Sequence, residues 1–162
     1  FVGEIEAALE LTGVAPSSLK LEITEHAFID DLDAAREMVD RLRAIGVGCS
    51  LDDFGTRYSP LGYLHQLMVD TLKVDRTFVS RIGPARRGPQ MLQAIVSLGH
   101  SLGMQVIAEG VETREQLVQL RTLGCEFAQG FYFSMPVNAA AAERLIERQP
   151  WLDRASIDTL AS

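Results

Sequence analysis

The sequence predicts an α/β fold made of parallel (β/α) units. Five short β-like runs alternate with segments of helical period along the chain, the pattern of a parallel sheet with right-handed crossovers. At 162 residues and 47% hydrophobic, the chain can bury one compact core and is too apolar to be disordered. The strands also carry charge where a buried parallel strand should be apolar throughout, and this third feature bears on function.

Phe1 to Thr12 has the period of a helix already under way at the first residue, without an initiating Met, so a piece of a longer protein is expected. Leu19 to Glu25 (LKLEITE) is the first strand, with Leu19, Leu21 and Ile23 alternating. In DAAREMVDRLRAIG, Ala35, Met38, Val39, Leu42 and Ile45 share a helical face that stops at Gly46. Val47 to Asp53 (VGCSLDD) and Thr71 to Asp75 (TLKVD) are the second and third strands. The helix PQMLQAIVSLGHSLG opens near Pro89, lines up Met91, Leu92, Ile95, Val96 and Leu102, and closes at Gly103. Gln105 to Val111 (QVIAEGV) is the fourth strand. Thr113 and Gln116 make a capping-box pattern at the head of TREQLVQLRTLG, which ends on Gly124. Phe127 to Phe133 (FAQGFYF) is the fifth strand, and Asn138 to Gln149 a last helix between an Asn cap and Pro150. Residues 1–150 form one domain, and 151–162 a C-terminal extension.

The formal net charge of −7 argues against a nucleic-acid polymer as partner, because such binding needs Lys and Arg to release counterions from phosphates. No apolar run approaches the roughly 20 residues that cross a bilayer, so no direct membrane contact is expected. The opening stretch FVGEIEAALE is acidic, unlike a secretory leader. Cys49 and Cys125 are far apart in sequence and form no C-x-x-C pair, which suits buried thiols in a reducing cytoplasm.

Glu22 and Glu25 lie in the first strand, Asp52 and Asp53 end the second, Lys73 and Asp75 lie in the third, Glu109 and Glu112 close the fourth, and Gln129 sits in the fifth. In parallel α/β folds the C-terminal strand ends open on one side, so these groups converge where such folds place their sites. Clustered carboxylates repel and call for a cation; oxygen-only donors suit Mg²⁺, Mn²⁺ or Ca²⁺ rather than zinc. A lysine among them can orient a metal-bound water or stabilise charge on a phosphate, which points to metal-assisted phosphoester hydrolysis. Plainer readings exist for some. Asp75 can cap the next helix or hold Lys73, and Glu112 can support the helix start at Thr113. His26, His65 and His100 show no H-x-x-x-H spacing for a metal. Phe54, Tyr58 and Tyr63 suit loop packing, although a purine could stack on one of them.

The segments LEITE, LDDFGTRYSPLGYLHQLMVDTLKVDRTFV, VIAEGVET and AQGFYFSMP, in this order and spacing, resemble the second half of an EAL domain, the bacterial cyclic di-GMP phosphodiesterase family. The resemblance runs from about Phe1 to Gln149. It implies a partial TIM-like barrel, about five of eight strands, and metal-dependent hydrolysis of cyclic di-GMP to linear pGpG in second-messenger signalling. It makes Glu22, Asp52, Asp53 and Glu109 ligands of a two-metal Mg²⁺ or Mn²⁺ site, and Lys73 the lysine that contacts the hydrolytic water. Glu25 would steady the DDFG loop, and Glu112 and Gln129, with Asp75, complete a substrate-contacting or supporting set.

The Glu-Ala-Leu strand and the asparagine ligand that follows it in that family are not within these residues. An open five-strand piece exposes two sheet edges, so a homodimer or strand-swapped oligomer is a further expectation. Arg57 stands where the family's loop usually has Gly, Pro60 where it has a second Ser, and Met135 near its usual basic residue. The alternatives are therefore an enzyme whose isolated fragment is inactive, and a non-catalytic module that binds cyclic di-GMP or a protein. Without the resemblance, five parallel strands also suit a doubly wound, flavodoxin-like receiver with Asp52, Asp53 and Lys73 as a phosphoacceptor site.

Overall fold

The computed structural model describes residues 1–55, 64, 66–83 and 88–148. Its strands are β1 (Lys20–Thr24), β2 (Gly48–Phe54), β3 (Thr71–Val74), β4 (Gln105–Ala108) and β5 (Phe127–Ala128). All pair in parallel, in the spatial order β1-β2-β3-β4-β5. Each crossover therefore steps one place in the same direction. A doubly wound sheet needs a reversal of strand order, and none occurs here, so the receiver reading is set aside. Sequential parallel winding is the winding of a (β/α) barrel.

The long helices form for local reasons that the sequence announced. Helix α1 (Val2–Thr12) ends on Gly13 in the left-handed region. A two-turn helix α2 (Glu25–Asp30) precedes α3 (Leu32–Ala44), which is capped by Asp31 Oδ1 accepting from the Ala34 amide at 3.0 Å. Ala35, Val39 and Leu42 of α3 are buried. Helix α4 (Arg76–Val79) is a single turn. Helix α5 (Gly88–Ser101) buries Leu92, Ile95 and Val96, but Met91, expected on that face, is 56% exposed. Helix α6 (Arg114–Thr122) has the capping box intact, and α7 (Ala139–Arg148) starts at Asn138, whose Oδ1 accepts from the Ala141 amide at 3.0 Å. Pro150 and the extension lie outside the described residues.

Three expectations need correction. Glu25 opens a helix rather than ending β1; α2 and α4 were not anticipated, being too short to show a period. Strand β4 stops at Ala108 and β5 at Ala128, well before Val111 and Phe133. The chain turns at Gly110 (φ +69), where a Cβ would collide with the side chain of Arg76. The backbone bonds nevertheless continue past both strands, from the Gln129 amide to Ala108 O and from the Val111 amide to Gln129 O.

Strand alternation divides the sheet into two faces. Leu21 and Ile23, Cys49 and Leu51, Leu72 and Val74, and Val106 and Ala108 point to the helices and make the core. Helix α5 lies close against them because it carries Gly99: a Cβ there would sit 2.7 Å from Val106 Cγ2 and 3.3 Å from Leu72 Cδ2. The opposite face has Glu22, Ser50, Thr71 and Gln105 in one register row across β1 to β4, and turns apolar beside Lys73, where Ile107 of β4 and Phe127 of β5 stand level with it. Cys49 is buried and Cys125 partly so; both are free thiols, and burial pushes each up to about 11.

Leu72 sits at the centre of the core, 1% exposed. Leu72→Ala is expected to lower unfolding free energy by about 3 kcal/mol, read by urea denaturation; a loss under about 1 kcal/mol would contradict this packing.

Candidate active site

Lys73 projects from β3 onto the polar face and is buried, its side chain 5% exposed. Its Nζ lies 2.7 Å from Glu22 Oε1, 3.0 Å from Asp52 Oδ1 and 2.6 Å from Glu109 Oε1. These acids come from three other places in the sheet. Asp52 is in β2, next to β3, opposite Thr24. Glu109 follows β4, placed by its own amide bonding Val74 O at 3.0 Å. Glu22 reaches across from β1, two strands away, and as part of a sheet edge is the most exposed of the three at 53%.

Burial disfavours the ammonium, but the contacts with Glu109, Glu22 and Asp52 outweigh it and raise the pKa of Lys73 above the ordinary lysine value. Lys73 is thus a fixed cation and proton donor at neutral pH. Asp52 Oδ1 is buried and, among the described residues, receives no hydrogen bond of good geometry; the charge of Nζ at 3.0 Å compensates it.

Asp53 diverges from Asp52. The β2–β3 register shifts between Leu51 and Phe54, and Asp53 takes φ +57, a left-handed conformation that Asp tolerates better than most residues. Its side chain is exposed. Glu25, 4% exposed, accepts a hydrogen bond from the Gly55 amide at 3.1 Å and so ties the end of the β2 segment to the start of α2. Asp75 does not join Lys73. It caps α4, with Oδ1 accepting from the Thr77 amide at 2.9 Å; burial works against its charge, but bonds from the Thr77 hydroxyl and the Thr77 and Arg76 amides hold the carboxyl below its usual range.

Glu112 and Gln129 have exposed side chains. The Glu112 backbone amide donates to Gln116 Oε1 at 2.8 Å at the start of α6. His26 pairs with Asp30 on the surface at 3.6 Å, and His100 with Glu126 at 2.9 Å, away from the Lys73 cluster. Phe54 is buried in the core and is no stacking platform. Arg57, Tyr58, Pro60, Tyr63 and His65 lie outside the described residues. Met135 is 59% exposed.

One group was missed. Lys20 lies on the same polar face as Lys73 and donates from Nζ to Thr71 Oγ1 at 2.7 Å. The signal was available: the chain has 2 lysines, Lys20 and Lys73, and both occupy the polar positions of strands.

Among the described residues, no group of three or more His, Cys, Asp or Glu side chains is arranged to hold a metal ion. The acids point at the ammonium instead. Their chemistry still fits a hard divalent cation: three carboxylates against one lysine leave a formal charge of −2, all donors are oxygen, and buried Asp52 Oδ1 has the Lys73 charge beside it but no hydrogen-bond donor among the described residues.

A family model described as the EAL domain matches residues 1–136. The cyclic di-GMP phosphodiesterase NbdA of Pseudomonas aeruginosa is 45% identical over 145 residues, which cover 90% of this chain and 18% of that protein. The chain thus spans about a fifth of that curated relative. Among solved structures, the PaMucR phosphodiesterase in complex with c-di-GMP superposes with a TM-score of 0.82 at 40% identity, covering 87% of this chain and 57% of that one. A manganese/c-di-GMP complex of Klebsiella pneumoniae BlrP1 superposes at 0.77 and 35% identity, covering 83% and 34%.

Because the folded-state pKa of Asp75 is depressed, its cap contributes stability above the unfolded value of about 3.9 that disappears as pH falls through the folded value. Asp75→Asn should flatten the stability profile below about pH 4 while costing about 1 kcal/mol or less at pH 7, measured by denaturation at each pH. An unchanged acid limb would remove the cap assignment.

Proposed function

The chain belongs to the EAL domain family, and from that premise we propose that the Lys73 cluster is part of a phosphodiesterase site that hydrolyses cyclic di-GMP to linear pGpG in bacterial signalling. The observation that carries this reading is the meeting of Glu22, Asp52 and Glu109 on one buried lysine at the C-terminal ends of parallel strands. Glu22, Asp52, Asp53 and Glu109 would hold Mg²⁺ or Mn²⁺ in a two-metal site. When bound, such ions supply a nucleophilic water at neutral pH and neutralise phosphate charge.

The protein's own groups do the rest. Lys73, kept protonated by its neighbours, donates to the attacking water or to a phosphoryl oxygen and offsets negative charge as it develops; it does not act as a base. Water adds across one P–O bond of the ring, and the departing sugar oxygen takes a proton. Glu25 keeps the backbone after Asp52 and Asp53 in place through Gly55. Asp75 supports from a distance, by fixing the turn that follows Lys73. Glu112 and Gln129, whose side chains are exposed, would contact the nucleotide.

This reading puts the chain in the cytoplasm, with cyclic di-GMP as its partner rather than a nucleic-acid polymer or a membrane. No helix among the described residues is long and apolar enough to cross a membrane. The open edges of β1 and β5 favour a homodimer or swapped oligomer. A second reading, a module that binds the dinucleotide or a protein without cleaving it, draws on the exposed Met135.

In the longer protein that carries this chain, Glu22→Ala, Asp52→Ala and Lys73→Ala should each lower kcat by about 10²–10³-fold or more in a metal-dependent hydrolysis assay. Retained turnover in all three would refute the enzymatic reading; calorimetric binding of cyclic di-GMP without turnover by the unmutated protein would establish the second. The 162-residue chain alone should show little or no turnover, since the family's Glu-Ala-Leu and asparagine ligands are not in it.

A further inference from the structure

Three of the four acids assigned above to metal binding, Glu22, Asp52 and Glu109, are engaged by Lys73 in this structure. A buried ammonium at 2.6–3.0 Å from three carboxylates stands where a hard cation's charge would be needed. From this geometry we infer that Lys73 is a built-in counter-ion for the metal-free site, and that a divalent cation binds by displacing its ion pairs. The inference rests on the proposed metal site but concerns a property of Lys73 itself: it sets metal affinity by competition, besides any part it plays toward water or phosphate.

The physical case has two sides. Without the ammonium, Glu22, Asp52 and Glu109 would face one another across a few ångströms, with Asp52 Oδ1 buried and uncompensated. Lys73 removes that penalty and keeps the carboxylates gathered before metal arrives. With it, an arriving dication meets a fixed positive charge in contact with its own ligands, a repulsion not screened by bulk water because the side chain is buried. Lysine is suited to such a role because its charge is compact and its stem flexible, so the ammonium can withdraw from the acids without leaving the site. The half-exposed Glu22 is the natural first contact for an incoming ion, since it is the only one of the three with large access to solvent.

The chain offers a direct test because it contains only 2 lysines. With ¹³C-labelled lysine, the unmutated chain should give two Cε signals. Titration with Mg²⁺ should shift that of Lys73 and leave that of Lys20, held by Thr71, in place. In calorimetric titrations with Mn²⁺, Lys73→Met should bind at least about tenfold more tightly than the unmutated chain, and its metal-free form should be the less stable of the two. If Mn²⁺ binds the unmutated chain but Lys73→Met binds no better, or the Lys73 signal does not move, the counter-ion role is refuted while the metal site stands. If neither chain binds Mg²⁺ or Mn²⁺ at millimolar concentration, the counter-ion role is refuted, and the metal site, which has further ligands outside this chain, is judged by the hydrolysis assay on the three alanine variants above. Should Lys73→Met not fold, the lysine signals of the unmutated chain decide the matter alone.

Discussion

A single buried ammonium organises the polar side of this protein. Three carboxylates from separate strands cannot approach one another inside a sheet unless a positive charge lies between them, and Lys73 provides it. The rest of the polar face can be understood from that constraint. Glu22 must reach over from β1, Asp52 must turn inward from β2, and Glu109 must stand at the end of β4, all at one level above the strands. An arginine in the same place would present a flat fork that favours two-point contact with one carboxylate, rather than a compact charge shared by three.

The scaffold that makes this meeting possible is plain in construction. Leucines, valines and isoleucines at alternate positions fasten the sheet to its helices, leaving every second residue of each strand for the opposite face. On that face the strands carry Lys20, Glu22, Ser50, Asp52, Thr71, Lys73 and Gln105, which are costly to bury unless they satisfy one another. Lys20 and Thr71 do so in a lower tier and the Lys73 cluster in an upper one, while Ser50 donates to the Leu21 carbonyl and Gln105 is exposed. The exposure of Glu22 follows from its place on β1, which among the described residues has a strand on one side only.

The turns after the strands are equally specific. A register shift at the end of β2 sends the two neighbouring aspartates to different environments, and Glu25 fixes the outcome by accepting the Gly55 amide. Asp75 starts α4 immediately after β3, and Gly110 lets the chain fold over Arg76 after β4. Each device lies within a few residues of a charged side chain of the cluster. Side chains at such strand ends keep their positions only when the backbone beneath them is held, and here it is held by hydrogen bonds and close contacts rather than by bulk packing.

Much of this was legible without coordinates, because helical period, N-caps and strand alternation are local and need only a window of several residues. The α3 face, the Thr113–Gln116 capping box, the Asn138 cap and the presence of an acid or lysine at strand end after strand end all fall in this class. What remained invisible depended on pairs far apart in the chain. That Glu22, Asp52 and Glu109 share one lysine is set by the register of four strands; that Asp53 parts from Asp52 is set by a bulge; that Asp75 caps a helix rather than holding Lys73 is set by a four-residue helix with no period to read. Residue chemistry announced which groups were out of place in a buried sheet, and only the three-dimensional arrangement chose their partners, because a charge in a low-dielectric interior is governed by whatever lies within a few ångströms and not by its neighbours in sequence.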